Sequence, residues 1–140
     1  MANKYIYEVL QEASKKRHKA DKIKVLVDND SWALRDVLRG TFDTSLEWNL
    51  PPGAPPYQAS EGHNHPTDLK RENVKFKYFI RGFKASENLS TVRRESMFIG
   101  LLEAVHPEDA KVVIDMINKT PPKHITRPMV EEAFPDLLKD

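Results

Sequence analysis

Residues 90–117, STVRRESMFIGLLEAVHPEDAKVVIDMI, carry the strongest helical pattern in the chain. Ser90 is a good N-cap for a first helix, and Pro107 fits the first turn of a second one. His106 lies between them, while Glu108 and Asp109 complement the positive end of the second helix dipole. The apolar residues that recur at helical spacing, and that we expect to face the core, are Val92, Phe98, Leu101, Leu102, Val105, Val113, Ile114 and Ile117. The segment therefore predicts two helices that meet at His106 and Pro107.

Amphipathic patterns of the same kind occur on both sides of this segment. They predict helices at about residues 6–18, 20–27, 31–42 and 126–134. Asp30 or Ser31 can cap the helix at 31–42, and Gly40 lies near its end, where a left-handed residue is often required. Residues 68–80 suit a strand or a helix, and we favour a helix because no neighbouring segment could pair with a strand. The sequence thus predicts an all-α fold, a compact single-domain bundle of six or seven short helices.

A long proline-rich loop interrupts the helical pattern at about residues 43–66. Its many prolines and glycines disfavour regular structure. A loop of this length inside a small domain is usually functional or disordered. It also contains Trp48, Leu50 and Tyr57, whose apolar surface is costly to leave in water. We therefore expect residues 46–57 to be pinned onto the helices and to contribute to a binding surface.

The composition of the 140 residues limits the classes to which the protein can belong. There is no cysteine, which excludes thiolate nucleophiles, disulfides and cysteine-ligated zinc. No apolar run approaches the roughly 18 residues of a membrane span, and the first residues lack the order of a signal peptide. We therefore expect one domain over residues 1–140 that acts in a cytoplasm, without membrane association.

The charges are arranged in blocks that the formal net charge of +1 hides. Residues 1–24, 25–63, 64–94 and 95–140 carry +4, −4, +5 and −4. Two basic segments, residues 15–24 and 70–84, could bind phosphate groups. In the second segment aromatic residues interleave with basic ones, as on some surfaces that bind single strands. The candidate nucleic-acid-binding residues are Lys15, Lys16, Arg17, Lys19, Lys75 and Lys77.

Two groups of histidines and acids bear on metal and catalytic chemistry. His63 and His65 could converge on a metal if the backbone between them is extended, although a solvated polar loop explains the same residues. A second group surrounds His106 at the helix junction, where helix capping explains it. No glycine-rich phosphate loop, nucleophile elbow or kinase signature is present. We therefore expect a non-enzymatic protein with no metal or other cofactor.

Three blocks of sequence are informative in combination. They are LRGTFDTSLEWNLPPGAPPY at residues 38–57, RRESMFIGLLEAVHPEDAKVVIDMINK at 93–119 and ITRPMVEEAFPDLL at 125–138. In this combination the chain resembles an uncharacterised family of small proteins encoded by large contractile-tailed phages, including cyanobacterial phages. The resemblance spans about residues 30–140. It implies a viral protein that acts in the host cytoplasm, with association with the virus particle left open, and it assigns no activity to particular residues.

A small helical phage protein without visible chemistry most often works by binding another protein. We therefore expect an interaction module, a regulatory or structural accessory, that binds a protein complex of the host or of the phage. The predicted protein-binding residues are Trp48, Leu50 and Tyr57, helped by the basic end of the first helix. The alternative is a nucleic-acid-binding accessory protein that uses residues 15–24 and 70–84.

Overall fold

The helices follow the order that the sequence pattern predicts. Our computed structural model describes residues 4–140, which contain eight α-helices and one 3-10 helix. The α-helices are α1 (Ile6–Lys15), α2 (Lys19–Asp28), α3 (Trp32–Phe42), α4 (Leu69–Glu72), α5 (Lys84–Glu87), α6 (Thr91–Ala104), α7 (Pro107–Ile117) and α8 (Arg127–Ala133), and the 3-10 helix is Asn73–Phe79. The prediction of an all-α fold is confirmed. No helix in this part of the chain is long and apolar enough to cross a membrane.

One hydrophobic core holds these elements together. Helix α7 contacts α1, α3 and α6, while α2 packs against α1 and α8. The 3-10 helix contacts α3, α5 and α6, so the middle of the chain joins the same core. The largest fully buried side chains are Ile6, Leu26, Leu34, Leu38, Leu69, Phe79, Leu101, Leu102 and Met116. Removal of this apolar surface from water is the main term that stabilises the bundle.

Side-chain caps begin three helices at the predicted residues. The hydroxyl of Ser31 accepts a backbone N–H from the first turn of α3 at 3.1 Å, and Ser90 does the same for α6 at 3.2 Å. Nδ1 of His106 accepts a backbone N–H from the first turn of α7 at 3.0 Å. The interpretation of His106 as a helix cap is therefore confirmed. The end of α1 was predicted less well, because this helix stops at Lys15 rather than near His18.

Residues 68–80 are helical, as we favoured, but the helix changes type within the segment. One turn of α-helix, α4, continues into the 3-10 helix. The 3-10 helix ends at a single antiparallel bridge between Trp48 and Ile80. Around this bridge Asn49 N–H donates to the carbonyl of Phe79 at 2.6 Å. The strand-like alternation of this segment thus reflects a short extended contact at its end only.

The segment between α3 and α4 is tied to the helices along its length. The Trp48 indole N–H donates to the carbonyl of Gly40 at 3.0 Å. Further along, Gly53 N–H donates to the side-chain oxygen of Asn118 at 2.7 Å. The Ser60 hydroxyl donates to the carbonyl at the end of α6 at 2.6 Å. These bonds satisfy polar groups that a loop against the core would otherwise leave without partners.

Two predictions of local detail were wrong. Gly40 lies inside α3 instead of terminating it, and a Cβ there would stand 2.5 Å from the Trp48 ring and 2.8 Å from the sulfur of Met116. The absence of a side chain at Gly40 therefore allows close packing. Val92 was expected in the core but is 77% exposed, because it lies in the first turn of α6 on the side away from α7 and the 3-10 helix.

Candidate functional site

The predicted protein-binding residues of the loop serve mainly as packing. Trp48 is only 8% exposed, and its ring meets Phe76 edge to face with centroids 5.9 Å apart. Leu50 and Tyr57 are half-buried and pack against the same core. Trp48 offers little surface to a partner, because its ring is buried and its N–H is bonded inside the protein, so a binding role for it stays a prediction. The expectation that the loop is pinned onto the helices is confirmed for this part.

A different tryptophan is available to solvent. Trp32, the first residue of α3, is 76% exposed. The outward residues of α3 are Trp32, Arg35, Asp36 and Arg39, at helical spacing. Exposed Val74 on the 3-10 helix and Phe83 before α5 lie further along the same surface. We call these six residues, Trp32, Arg35, Asp36, Arg39, Val74 and Phe83, the Trp32 face.

Two surface clefts lie along the Trp32 face and share two lining residues. The first, of about 420 Å³, lies between Trp32 and the segment after α8, where Phe134 and Leu137 form part of its wall. The second, of about 190 Å³, is lined by Val74 and Phe83 among others. Asp36 and Arg39 line both clefts. The face therefore offers an exposed aromatic, apolar side chains in the cleft walls and a charged centre.

Arg35 fixes the tryptophan end of the face. Its guanidinium makes two bonds to the carboxylate of Asp30, at 2.7 and 2.8 Å. The same group lies 4.9 Å from the ring centroid of Phe134 and 5.8 Å from that of Trp32, within the range of cation–π contacts. The hydrogen bond from Arg35 lowers the pKa of Asp30, so this carboxylate stays charged. Such a pair of hydrogen bonds holds the Arg35 side chain in one orientation.

The centre of the face holds a partly buried acid. Nδ2 of Asn73 donates to Asp36 at 2.7 Å, which joins α3 to the 3-10 helix. Burial raises the pKa of Asp36, although the Asn73 bond and the charge of Arg39 act in the opposite direction. Lys77 and Lys139 line the two clefts as exposed cations. The clefts therefore carry exposed cations together with the exposed carboxylate of Asp136.

The two basic segments differ in how closely their exposed cations follow one another along the chain. Lys15, Lys16, Arg17 and Lys19 are all exposed at the turn between α1 and α2. In the second segment Lys75 pairs with Glu72 at 2.6 Å and Arg81 lies 3.6 Å from Glu47, whereas the other four cations, Lys70, Arg71, Lys77 and Lys84, are exposed. Phe76 and Phe79 are buried, so they cannot stack on bases. The first segment therefore places four exposed cations within residues 15–19, and the second spreads four over residues 70–84.

The candidate metal ligands do not converge. Nε2 of His65 bonds the Tyr5 hydroxyl at 2.9 Å and its Nδ1 bonds the carbonyl of Thr67 at 2.7 Å, so both ring nitrogens are occupied. His63 is exposed instead and lies 3.3 Å from Glu61. Within residues 4–140, no group of three or more histidines and acids is arranged to hold a metal ion.

A buried acid near His65 was expected only as a helix cap. Asp109 is 1% exposed and accepts the backbone N–H of Tyr7 at 2.8 Å, so it caps α1 as well as lying in the first turn of α7. Burial, with smaller contributions from Asp68 and Glu8, raises the pKa of Asp109 to about 6. Burial and the charge of His65 lower the pKa of His106 beside it. The capping bond to α1 gives Asp109 a structural role.

The sequence contained a signal for Trp32 that the search for loop aromatics missed. The core residues of α3 are Ala33, Leu34, Val37 and Leu38. Trp32 and Arg35 fall on the opposite side of this pattern. A large aromatic residue on the polar side of an amphipathic helix is a better indicator of a binding surface than an aromatic residue among prolines.

The fold and this face define a small all-α protein with an exposed, tryptophan-centred surface. Residues 9–123 match the model of a family of unknown function, DUF6433. Because the match covers more than half of the chain, the protein belongs to this family. No curated protein matches the chain.

Proposed function

We propose that the protein is a non-enzymatic interaction module, encoded by a large contractile-tailed phage, that binds a host or phage protein complex in the host cytoplasm. The observation that carries the proposal is the 76% exposure of Trp32 at the edge of a cleft that has both apolar and charged walls. Tryptophan is among the residues that most often dominate binding energy at protein interfaces. The binding surface in this proposal is the Trp32 face, in place of Trp48 and its neighbours.

The face is suited to binding because it is already ordered. Asp30 holds Arg35 by two bonds, and Arg35 lies between the rings of Trp32 and Phe134. A side chain fixed before association loses less conformational entropy when a partner covers it. The clefts on either side of Asp36 and Arg39 give room for apolar side chains of the partner. The complementary surface is an apolar segment with carboxylates at its edges, opposite Lys77 and Lys139.

The experiment compares capture of proteins from infected-host lysate by three forms of the tagged protein. These are the wild type, Trp32→Ala and Val92→Ala. Val92 is the matched control, because it is 77% exposed and does not line either cleft of the Trp32 face. We expect a stoichiometric protein partner that survives nuclease treatment, is lost with Trp32→Ala and is kept with Val92→Ala.

Equal recovery of the partner with Trp32→Ala and the wild type would remove the Trp32 face from the interface. Loss of the captured proteins on nuclease treatment would favour nucleic acid as the ligand instead. Circular dichroism and melting of both variants check that each retains the wild-type fold, since neither side chain belongs to the core.

A further inference from the structure

We propose that the turn between α1 and α2 binds the phosphodiester backbone of nucleic acid, independently of the Trp32 face. The turn presents Lys15, Lys16, Arg17 and Lys19 on consecutive or nearly consecutive positions, all exposed. Within residues 4–140 none of these four side chains forms an ion pair with an acid. We call this group the α1–α2 basic turn.

A buried lysine holds the basic turn in place. Lys22 is 8% exposed, and its ammonium donates to the carbonyls of Ser14 at 3.0 Å and Ala13 at 3.4 Å. The Ser14 carbonyl lies in the last turn of α1, where carbonyls lack partners within the helix, whereas the Ala13 carbonyl also accepts the backbone N–H of Lys16 at 3.2 Å. Lys22 thus joins the end of α1 to α2. Lys24 is not counted among the unpaired cations near the turn, because its ammonium pairs with Asp28 at 2.6 Å.

The spacing of the charges suits a phosphate backbone. The path from residue 15 to residue 19 is at most about 14 Å long, even if fully extended. Phosphates of one strand follow each other at about 3.4 Å along a duplex, so the turn can face about four of them. Neighbouring basic positions are one or two residues apart, at most about 7 Å along the chain, which is within one Debye length of about 8 Å at physiological salt, so their potentials overlap. The net charge of the whole chain is only +1, so the positive potential at the basic turn is a local feature of the surface.

The basic turn has the chemistry for backbone contact without base recognition. No Phe, Tyr or Trp occurs between residues 8 and 31 of the sequence, so the one aromatic ring that the turn itself supplies is the exposed imidazole of His18. Cations alone bind phosphates without sequence preference and with strong salt dependence. The inferred ligand is therefore a nucleic-acid strand of any sequence, bound by its phosphates.

The test measures fluorescence anisotropy of labelled nucleic acids of about 20 nucleotides with the purified protein. Its arms are single-stranded DNA, duplex DNA and single-stranded RNA of one sequence, which distinguish the source of the phosphates. With four contacts, affinity for a single strand should fall about 50-fold between roughly 50 and 200 mM salt, and for a duplex about 150-fold.

Two variants that each lose four positive charges distinguish an effect of the basic turn from an effect of the net charge. The turn variant carries Lys15→Gln, Lys16→Gln, Arg17→Gln and Lys19→Gln. The control carries Arg93→Gln, Lys111→Gln, Lys123→Gln and Lys139→Gln, all at exposed positions outside both basic segments. We expect the turn variant to lose at least about tenfold in affinity at low salt and to show a shallower salt slope, while the control stays within about threefold.

Absence of wild-type binding to all three probes would overturn the proposal, and so would equal losses in the two variants. A negative result in this assay would not count against protein binding by the Trp32 face. The two proposals are tested by separate variants, since Trp32→Ala keeps all four cations of the basic turn. Far-ultraviolet circular dichroism of both variants checks the fold. Every substituted side chain is at an exposed position, so we expect unchanged spectra.

Discussion

Asp109→Asn should stabilise the protein at neutral pH and have little effect in acid. In the folded state burial raises the pKa of Asp109 from 3.8 to about 6. The folded protein therefore holds this proton more tightly than the unfolded chain does, and the associated stability is fully present below pH 3.8. It is lost as the pH rises through 6, and the full loss is about 3 kcal/mol. An asparagine carbonyl can keep the bond from Tyr7 N–H without carrying a charge.

The free energy of unfolding of both forms can be measured by urea denaturation at several values of pH between about 4 and 8. We expect the variant to gain up to about 3 kcal/mol over the wild type near pH 7.5, and nearly nothing near pH 4. The pKa of His106 is lowered by burial and His65, and this opposite pH dependence cancels when the two forms are compared. Asp136→Asn, at an exposed position, is the control and should show no such trend. A variant that is less stable than the wild type at neutral pH, or a difference that does not change with pH, would refute the reasoning.

The remaining predictions concern packing and capping, and each is checked by urea or thermal denaturation. Gly40→Ala should cost about 1–3 kcal/mol, because the new Cβ would overlap the Trp48 ring and the Met116 side chain. Gly100→Ala, in the middle of α6 with no atom within 4 Å of the new Cβ, should instead stabilise by about 0.4–1 kcal/mol; equal effects at the two glycines would contradict the packing argument. Lys22→Met should cost about 1 kcal/mol, since the Ser14 carbonyl loses its donor while the Ala13 carbonyl keeps the backbone N–H of Lys16; an unchanged stability would show that water replaces the ammonium there.

The helices were predictable because their signals are local. Ser31, Ser90 and His106 cap the helices that the sequence assigns to them, and the apolar spacing between the caps gives the buried faces. The 3-10 helix was not predictable in the same way. Its type and its end depend on the bridge between Trp48 and Ile80, which lie 32 positions apart in the sequence. Periodicity within one segment contains no information about such a contact.

The candidate surfaces also depend on contacts between residues that are distant in the sequence. Composition marks Trp48 and Trp32 equally as costly to expose, but only packing against Gly40 and Phe76 buries Trp48. For Trp32 the helical phase of α3 was sufficient evidence, because its position opposite Leu34 was visible in the sequence. The basic turn was identified from the charges alone. Of the two ion pairs in the second basic segment, Lys75 with Glu72 has helical spacing that the sequence shows, whereas Arg81 with Glu47 joins residues far apart in the sequence.

The most direct test of the central claim uses the captured partner in purified form. Its dissociation constant is measured by calorimetry for the wild type, Trp32→Ala and Val92→Ala. Truncation of a tryptophan that dominates an interface costs about 2 kcal/mol or more, so Trp32→Ala should weaken binding by at least about 30-fold. Val92→Ala should stay within about twofold of the wild type, since surface positions outside an interface contribute little. Equal dissociation constants for the wild type and Trp32→Ala would contradict the claim that the Trp32 face is the surface through which the protein acts.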